Sequence, residues 1–195
     1  MRVILASRSA RRQELLARIG IDHEVVAPDI DESQYPGESA INYVRRLSYE
    51  KAEKISKQFA DEDDVMVVGA DTCVELDGVV FGQPVDRDDA ERILRALSGR
   101  THNVHTGVTV ISRGLINTEL INTQSIRTIV DSARVTIAPL SHHILEWYLD
   151  TEESYGRAGA YAVQGQGGVL VTRVQGLMST VVGLPLRQTY ELLRF

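Results

Sequence analysis

The sequence predicts an α/β or α+β fold, because segments typical of strands alternate along the chain with segments typical of helices. Two observations carry this prediction: short apolar runs typical of buried strands, and longer stretches in which apolar residues recur at helical spacing. The chain has 195 residues, enough for one compact domain or for two small lobes that share a core. We find no repeat, low-complexity tract or linker, and therefore treat residues 1–195 as a single domain.

The first part of the chain has two helical patterns between predicted strands. Leu15, Leu16 and Ile19 lie on one side of the first helix, and Gly20 ends it. Pro36-Gly37 precedes the second helix, which is much longer. The predicted elements are a buried strand at 2–6, a helix at 11–19, a strand at 23–27, an acidic turn at 29–33, a helix at 39–59 and a strand at 65–70.

The rest of the chain begins with a hairpin. Asp77-Gly78 lies between two short apolar runs, which is a strong signal for a two-residue turn. The later predicted elements are hairpin strands at 74–76 and 79–81, a helix at 86–98, a strand near 104–110, a pair of strands at about 118–138, a short helix at 141–149, a strand at 169–174 and a helix at 186–194.

Composition excludes several classes of protein. No run approaches the roughly 20 apolar residues that span a bilayer, and a single cysteine excludes an internal disulfide. We therefore expect a cytoplasmic protein without membrane contact. The net charge of −6 argues against nucleic-acid binding. Residues 1–20, however, contain five arginines against one glutamate, a local net charge of +4 that suits a small polyanion.

Residues 7–12, Ser-Arg-Ser-Ala-Arg-Arg, lie where a predicted strand ends and a helix begins. Backbone amides at a helix start attract anions, and hydroxyl and guanidinium groups add donors that suit phosphate oxygens. The alternative is that Ser9 only caps the helix while the arginines lie in solvent. Taken alone, these residues do not decide between the two interpretations.

Four acidic residues are candidates for metal binding and catalysis. Asp71 follows an apolar strand, the position at which open α/β sheets place their sites. Asp29, Asp31 and Glu32 lie together in a predicted turn. Carboxylate oxygens suit Mg²⁺ or Mn²⁺, which bridge protein and phosphate, and such a site can direct a water at phosphorus. The alternative for the residues at 29–32 is a solvated turn, and the alternative for Asp71 is a turn-forming residue. We favour a function for Asp71, and the residues alone do not decide among the loop acids.

Several polar residues have ordinary explanations when taken alone. Lys51 lies on the long predicted helix, where surface exposure is the simpler interpretation and an inward, phosphate-binding orientation is the alternative. Gln164 lies in a glycine-rich connection and could bind a base edge, although a structural role is the favoured explanation for an isolated glutamine. His102 and His105 are three apart in a predicted strand and are not expected to form a metal pair.

These segments together, in their order, resemble the Maf family, the septum-formation-inhibitor-like nucleotide pyrophosphatases. Each motif is weak alone, but the ordered set covers nearly the whole chain and is highly specific. The matching segments are Leu5-Ala6-Ser7-Arg8-Ser9-Ala10-Arg11-Arg12, Asp29-Ile30-Asp31-Glu32-Ser33, Glu50-Lys51-Ala52, Gly69-Ala70-Asp71-Thr72, Leu97-Ser98-Gly99-Arg100, Thr106-Gly107-Val108, Ala158-Gly159-Ala160-Tyr161, Gln164-Gly165 and Val181-Val182-Gly183-Leu184-Pro185-Leu186.

The resemblance implies an elongated, two-lobed α/β fold with a mixed twisted sheet, flanking helices and a central cleft, as in Maf/ITPase-like proteins. It implies cleavage between the α- and β-phosphates of a nucleoside triphosphate, a divalent cation (Mg²⁺ or Mn²⁺) and a homodimer. The sequence Ala70-Asp71-Thr72 resembles the subgroup acting on dTTP and UTP.

Carried over by position, the resemblance assigns a role to nine residues. Asp71 is implied to be the general base, and Asp71 and Glu32 together are implied to bind the metal and direct the attacking water. The residues implied to bind the triphosphate are Ser7, Arg11, Arg12 and Lys51, and Lys51 is also implied to be catalytic. Gln83 occupies a phosphate-contact position, and Thr72 and Gln164 are implied to lie near the nucleotide base.

The sequence also departs from the family pattern. The departures are Gln83 in place of a usual lysine, Gly156-Arg157 in place of Asp-Lys, Ala10 in place of a common proline and Thr180 in place of a common asparagine. Gln83 and Gly156 favour a second hypothesis, a nucleotide-binding regulator of cell division with weakened turnover. The retained motif residues favour the enzyme, and the ordered motifs argue against a third hypothesis, an unrelated α/β binding domain.

Overall fold

The structure, a computed structural model, describes residues 2–113 and 124–194. The described strands are β1 (Arg2–Ala6), β2 (Glu24–Val25), β3 (Val65–Leu76), β4 (Val79–Phe81), β5 (Thr101–Arg113), β6 (Gln124–Ile137) and β7 (Val171–Gln175). The α-helices are α1 (Ala10–Arg18), α2 (Ala40–Ser56), α3 (Arg87–Leu97), α4 (His142–Asp150), α5 (Met178–Val182) and α6 (Leu186–Leu193). Short 3₁₀ turns occur at Lys57–Phe59, Ala158–Ala160 and Gln166–Leu170.

The strands form one mixed sheet of seven in the order β2-β1-β3-β5-β6-β7, with β4 paired to β3. Strand β1 runs parallel to both β2 and β3, whereas the β3–β4 and β6–β7 pairs are antiparallel. A parallel sheet region with helical connections is the arrangement expected for alternating strands and helices. The structure thus confirms the predicted α/β class.

Hydrogen-bonding side chains fix the start of four helices where the sequence placed them. A side-chain oxygen at each N-cap accepts a backbone N–H of the first turn, a contact worth about 1 kcal/mol. These caps are Ser9, Ser39, Asp86 and Ser141. The predicted hairpin turn is also present: Asp77 and Gly78 have φ of 53° and 82°, the positive values that a type I′ turn requires.

Three predictions need correction, and one helix was not predicted. The predicted strands at 65–70 and 74–76 are one strand, β3, of 12 residues, because the chain stays extended through Asp71. Of the strand pair predicted at about 118–138, residues 118–123 lie outside the described residues, and Gln124–Ile137 is a single strand. The strand predicted at 23–27 is only the two-residue β2. Helix α5 was not predicted, since five residues are too few to show helical periodicity.

The described residues divide into two compact units. The first draws on Met1–Asp71, Thr106–Asp131 and Gly183–Phe195. One of its core clusters joins apolar residues of β1, α2, β3 and β5. The members of this cluster are Ile4, Ala6, Ala52, Ile55, Val65, Val67 and Ile111.

The second unit comprises Thr72–His105 and Ser132–Val182. Its core is built from the apolar faces of α3 and α4 together with strand residues, and the fully buried Tyr148 lies within it. The Tyr148 hydroxyl accepts the backbone N–H of Ala162 at 3.0 Å, which satisfies this buried polar atom. Within the described part of the chain, no helix is both long and apolar enough to cross a membrane.

Candidate active site

The register of two parallel strands brings Ser7, at the carboxyl end of β1, beside the middle of β3, which carries Asp71. Ala6 of β1 lies opposite Gly69 of β3, so Ser7 leaves β1 beside the part of β3 that carries Asp71. Carboxyl ends of parallel strands are where such sheets place binding residues. Ser7 and Asp71 are 4% and 6% exposed, so both residues are buried within the first unit.

Arg12 lies at the first turn of α1 and points to the same region. Its Nη1 donates to Ser7 Oγ at 3.2 Å and its Nε to the Gly183 carbonyl at 2.9 Å. Burial lowers the pKa of the Arg12 guanidinium from its ordinary value, and the charges of Asp71 and Glu32 oppose this shift. Ser9 does cap the helix, but Arg12 is not a solvated surface residue as the alternative interpretation required.

Two glycines allow α2 to lie unusually close to the sheet. A Cβ at Gly69 of β3 would come within 2.2 Å of the Ser48 carbonyl oxygen, and one at Gly107 of β5 within 2.3 Å of the Val44 carbonyl oxygen. Both contacts are with helix backbone, so only glycine fits at either position without displacing α2. This close approach positions the next turn of α2, which carries Lys51, against β3.

Lys51 is a buried ammonium shared by two carboxylates. It is 5% exposed, and its Nζ lies 2.6 Å from Asp71 Oδ1 and 2.9 Å from Glu32 Oε1. The sequence alone favoured a surface lysine, and that interpretation is wrong because Lys51 falls on the buried face of α2 between Leu47 and Ile55. An ammonium buried with two acidic partners has its charge compensated, which is the condition for burying it.

Asp71 has the electrostatic environment of a base. Burial raises the pKa of its carboxyl above the ordinary value, whereas the positive charges of Lys51 and Arg12 oppose the rise. A carboxylate with a raised pKa accepts a proton more readily than one in water. Buried, perturbed carboxylates of this kind are candidates for general-base catalysis.

The acids of the acidic loop, residues 29–38, make different contacts in the structure. Glu32 reaches Lys51, as described above. Asp31 instead accepts the backbone N–H of Ser33 at 2.9 Å, a local turn contact. Hydrogen bonds from the Ser33 side chain and backbone lower the pKa of the Asp31 carboxyl. Glu32 is therefore the loop acid that joins Arg12, Lys51 and Asp71 in one cluster.

The cluster offers two carboxylates to a divalent cation. Among the described residues, no group of three His, Cys, Asp or Glu side chains is placed to hold a metal. Glu32 and Asp71, however, both approach one point, the Lys51 ammonium, and each contact uses one oxygen of its carboxylate. Mg²⁺ is commonly bound through one or two carboxylates plus substrate phosphates and water, so these two residues fit a cation shared with a substrate.

The other residues singled out by the sequence lie elsewhere. Arg11 is half-buried in the first turn of α1, next to Arg12. Thr72 of β3, Gln83 and Gln164 belong to the second unit; Thr72 is half-buried and the two glutamines are exposed. The contacts that join Ser7, Arg12, Glu32, Lys51 and Asp71 are all within the first unit. The roles of all nine residues stay predictions.

The segment that carries Gln164 is held by Glu153, a residue the sequence did not single out. The Glu153 carboxylate accepts the backbone N–H of Gln166 at 3.1 Å and that of Gly167 at 2.8 Å, and the Tyr148 hydroxyl at 3.2 Å. A Cβ at Gly165 would lie 1.8 Å from Glu153 Oε1, so a side chain there would displace the Glu153 carboxylate from these contacts. A glutamate shortly before a glycine-rich turn is too common a pattern to have predicted this role.

The two histidines set aside in the sequence have separate partners within the second unit. His102 Nε2 lies 2.8 Å from the Tyr161 hydroxyl, whereas His105 Nδ1 lies 2.7 Å from Ser132 Oγ. Burial lowers the pKa of His102 to about 4. The structure thus agrees with the prediction that they do not form a metal pair.

The chain is similar to known proteins over almost its whole length. A family model described as Maf-like protein matches residues 2–195. The dTTP/UTP pyrophosphatase of Bordetella parapertussis is 43% identical over 199 residues, covering 99% of this chain and 91% of the relative. The dTTP/UTP pyrophosphatase of an Anaeromyxobacter species is 45% identical over 193 residues, covering 99% of this chain and 88% of the relative.

Solved structures resemble the chain more weakly. The Nucleoside-triphosphatase / dITP/XTP pyrophosphatase of Mycobacterium abscessus matches with a TM-score of 0.42 and 14% identity, covering 72% of this chain and 76% of that one.

Proposed function

Because this chain belongs to the Maf family, we propose that it is a nucleoside triphosphate pyrophosphatase with dTTP or UTP as substrate. The observation that carries the proposal is the buried cluster in which Lys51 joins Asp71 and Glu32, with Arg12 beside them. Relatives named for this activity are 43% and 45% identical over nearly the full chain.

In the proposed reaction, water attacks the α-phosphorus and its proton passes to the Asp71 carboxylate. The bond between the α-phosphorus and the oxygen bridging it to the β-phosphorus breaks, and pyrophosphate leaves with that oxygen. The products are a nucleoside monophosphate and pyrophosphate. Burial supports Asp71 in this role because it raises the pKa of the carboxyl and so strengthens it as a base.

The cations of the cluster serve to bind and orient the triphosphate. Arg12 is held by Ser7 and the Gly183 carbonyl and presents a fixed guanidinium, and Lys51 presents a buried ammonium. Fixed cations at a transferring phosphoryl group stabilise the charge that develops there. Arg11, in the same first turn of α1, is proposed as a further phosphate ligand.

Charge balance supports a divalent cation, Mg²⁺ or Mn²⁺, held by Glu32 and Asp71. Arg12 and Lys51 offset Asp71 and Glu32, so the cluster is formally neutral before substrate binds. A triphosphate adds about four negative charges, more than Arg11 alone can offset. When bound, a divalent cation would neutralise phosphate charge and polarise the phosphoryl group.

The choice of base is proposed to depend on Thr72 and Gln164, whereas Gln83 is proposed to contact phosphate. Gln164 lies in a segment fixed by Glu153, and its amide can donate to and accept from a pyrimidine edge. The Ala70-Asp71-Thr72 sequence supports the dTTP/UTP assignment by resemblance. The family resemblance also supports a homodimer, and the single cysteine suits a cytoplasmic location.

The experiment is a product analysis in ¹⁸O-labelled water. The purified protein is incubated with a panel of nucleoside triphosphates and Mg²⁺ or Mn²⁺, and monophosphate, pyrophosphate and orthophosphate are measured. We expect monophosphate and pyrophosphate in equal amounts, with dTTP or UTP among the best substrates and the label in the monophosphate. Orthophosphate release, or label in the pyrophosphate, would contradict the proposed bond cleavage.

A second candidate function is a nucleotide-binding regulator of cell division with weakened turnover. Gln83 and Gly156 favour it, because the family usually has charged residues at both positions. It predicts binding of nucleoside triphosphates without product formation in the same assay.

A further inference from the structure

The acidic loop that carries Glu32 has few apolar contacts to hold it in place. It connects β2 to α2 without regular structure, and each of residues 31–37 is exposed to solvent. Glu32 must nevertheless present its carboxylate to Lys51. A segment with so little buried apolar surface depends on polar contacts for its position.

Two side chains of α2 hold consecutive backbone carbonyls of this loop. The Tyr43 hydroxyl donates to the Glu32 carbonyl at 2.9 Å, and Arg46 Nη2 donates to the Ser33 carbonyl at 3.0 Å. The helix therefore contacts Glu32 at two places, through Tyr43 at its carbonyl and through Lys51 at its carboxylate, while Arg46 holds the carbonyl of the next residue.

Arg46 is the centre of these contacts. Its Nε and Nη2 each donate to the Glu38 carboxylate at 2.8 Å, the two-pronged geometry that only a guanidinium provides. The guanidinium also lies 3.8 Å from the centre of the Tyr35 ring. The Arg46 and Glu38 side chains are only 15% and 8% exposed, so this pair is better shielded than an ordinary surface ion pair.

We propose that Arg46 is a positioning residue that fixes the acidic loop against α2 and so places the Glu32 carboxylate at the active site. This inference rests on the proposed function, in which Glu32 takes part in the reaction. The contacts to Ser33, Tyr35 and Glu38 span most of the loop beyond Glu32, so one side chain restrains it at three places.

The competing explanation is that Arg46 only stabilises its own helix. It does contact Glu50 at 3.2 Å one turn later, a pairing worth a few tenths of a kcal/mol in helices. A purely helical role predicts that Arg46→Lys is nearly neutral, since lysine also pairs with Glu50. The proposed role predicts that Arg46→Lys no longer holds the acidic loop, because an ammonium can neither bind Glu38 at two points nor stack on Tyr35 in the same way.

The experiment compares Arg46→Gln, Arg46→Lys and Tyr43→Phe with the matched control Arg45→Gln. Arg45 is the exposed neighbour on α2 and contacts Asn42. Hydrogen exchange of a peptide covering residues 28–39 reports the loop without reference to activity. We expect exchange at least tenfold faster in Arg46→Gln and Arg46→Lys, a smaller acceleration in Tyr43→Phe, and wild-type exchange in Arg45→Gln and in peptides outside the loop.

Kinetics then connect the loop to Glu32. Arg46→Gln is expected to lower kcat at least tenfold with KM changed less than threefold, and to cause no further loss when Glu32 is already Gln. Unchanged loop exchange in Arg46→Gln, or an equal loss of kcat in the Glu32→Gln background, would overturn the proposal. A wild-type protein that releases no pyrophosphate would instead refute the proposed function, while the exchange data would still decide whether Arg46 holds the loop.

Discussion

Lys51 Nζ lies 2.6 Å from Asp71 Oδ1, a contact between a buried helix residue and a buried strand residue of the same unit. The 2.9 Å contact of the same nitrogen to Glu32 Oε1 makes Lys51 the point where helix, strand and acidic loop meet. Charged groups are buried in this way only when each has a partner. The site is therefore arranged before a nucleotide arrives, which lowers the cost of binding one.

Replacing Lys51 with Met should weaken triphosphate binding. A hydrogen bond to a charged group contributes about 1.5–3 kcal/mol. Losing that free energy of binding should raise the Kd for dTTP in the presence of Mg²⁺ roughly 10–100-fold. Titration calorimetry measures this directly. Lys54→Met is the matched control, because Lys54 is exposed on the same helix; a Kd for Lys51→Met within twofold of this control would argue against Lys51 as a phosphate ligand.

Gly69→Ala should destabilise the fold by about 1–3 kcal/mol, the usual cost of overpacking. The added Cβ would meet the Ser48 carbonyl oxygen at 2.2 Å and the Ala52 nitrogen at 2.7 Å, both in the backbone of α2. Urea unfolding measures the change. Gly82→Ala is the control, since a Cβ at Gly82 has no neighbour within 4 Å, and equal stabilities of the two variants would contradict the close approach of α2.

His102 should make stability depend on pH. Burial lowers the pKa of His102 to about 4 from 6.5, so the unfolded chain takes up a proton at a pH where the folded protein does not. Protons therefore favour unfolding, and stability falls as the pH drops from about 6.5 towards 4. For this shift the loss between pH 7 and pH 5 is about 2 kcal/mol.

His102→Gln should remove this part of the pH dependence while keeping a partner for the Tyr161 hydroxyl. The free energy of unfolding is measured by chemical denaturation at pH 7 and pH 5 for wild type, His102→Gln and the exposed-site control His142→Gln. The pH-dependent loss should shrink by about 2 kcal/mol in His102→Gln alone. An unchanged loss in that variant would show that His102 is not kept neutral by burial.

Much of the fold could be predicted because local signals agreed with one another. Apolar runs predicted the strands β1 and β3, the helical patterns predicted α1 to α3, and Asp77-Gly78 predicted the hairpin. The continuous course of β3 through Asp71 could not be predicted from local signals, because its pairing is long-range. Helix α5 was missed because five residues carry no periodic signal.

The candidate site was only partly predictable for a physical reason. Single residues such as Lys51 have a surface explanation that is more common, and the decisive fact is which face of α2 packs on the sheet. The closeness of that packing depends on Gly69 and Gly107, far apart in the sequence. Arg46 could have been noticed through its spacing from Glu50, but its contacts with Ser33 and Glu38 depend on the loop conformation.

The central claim, that Asp71 is the base of a pyrophosphatase, is tested most directly by Asp71→Asn. The control is Asp77→Asn, the same chemical change at an exposed turn residue with positive φ, which asparagine tolerates. Turnover of dTTP with Mg²⁺ and the Kd for dTTP are measured for both. We predict that Asp71→Asn lowers kcat at least about 100-fold and leaves the Kd within about fivefold, because the amide cannot accept the proton while the phosphate ligands remain; a kcat within threefold of the control would contradict the account.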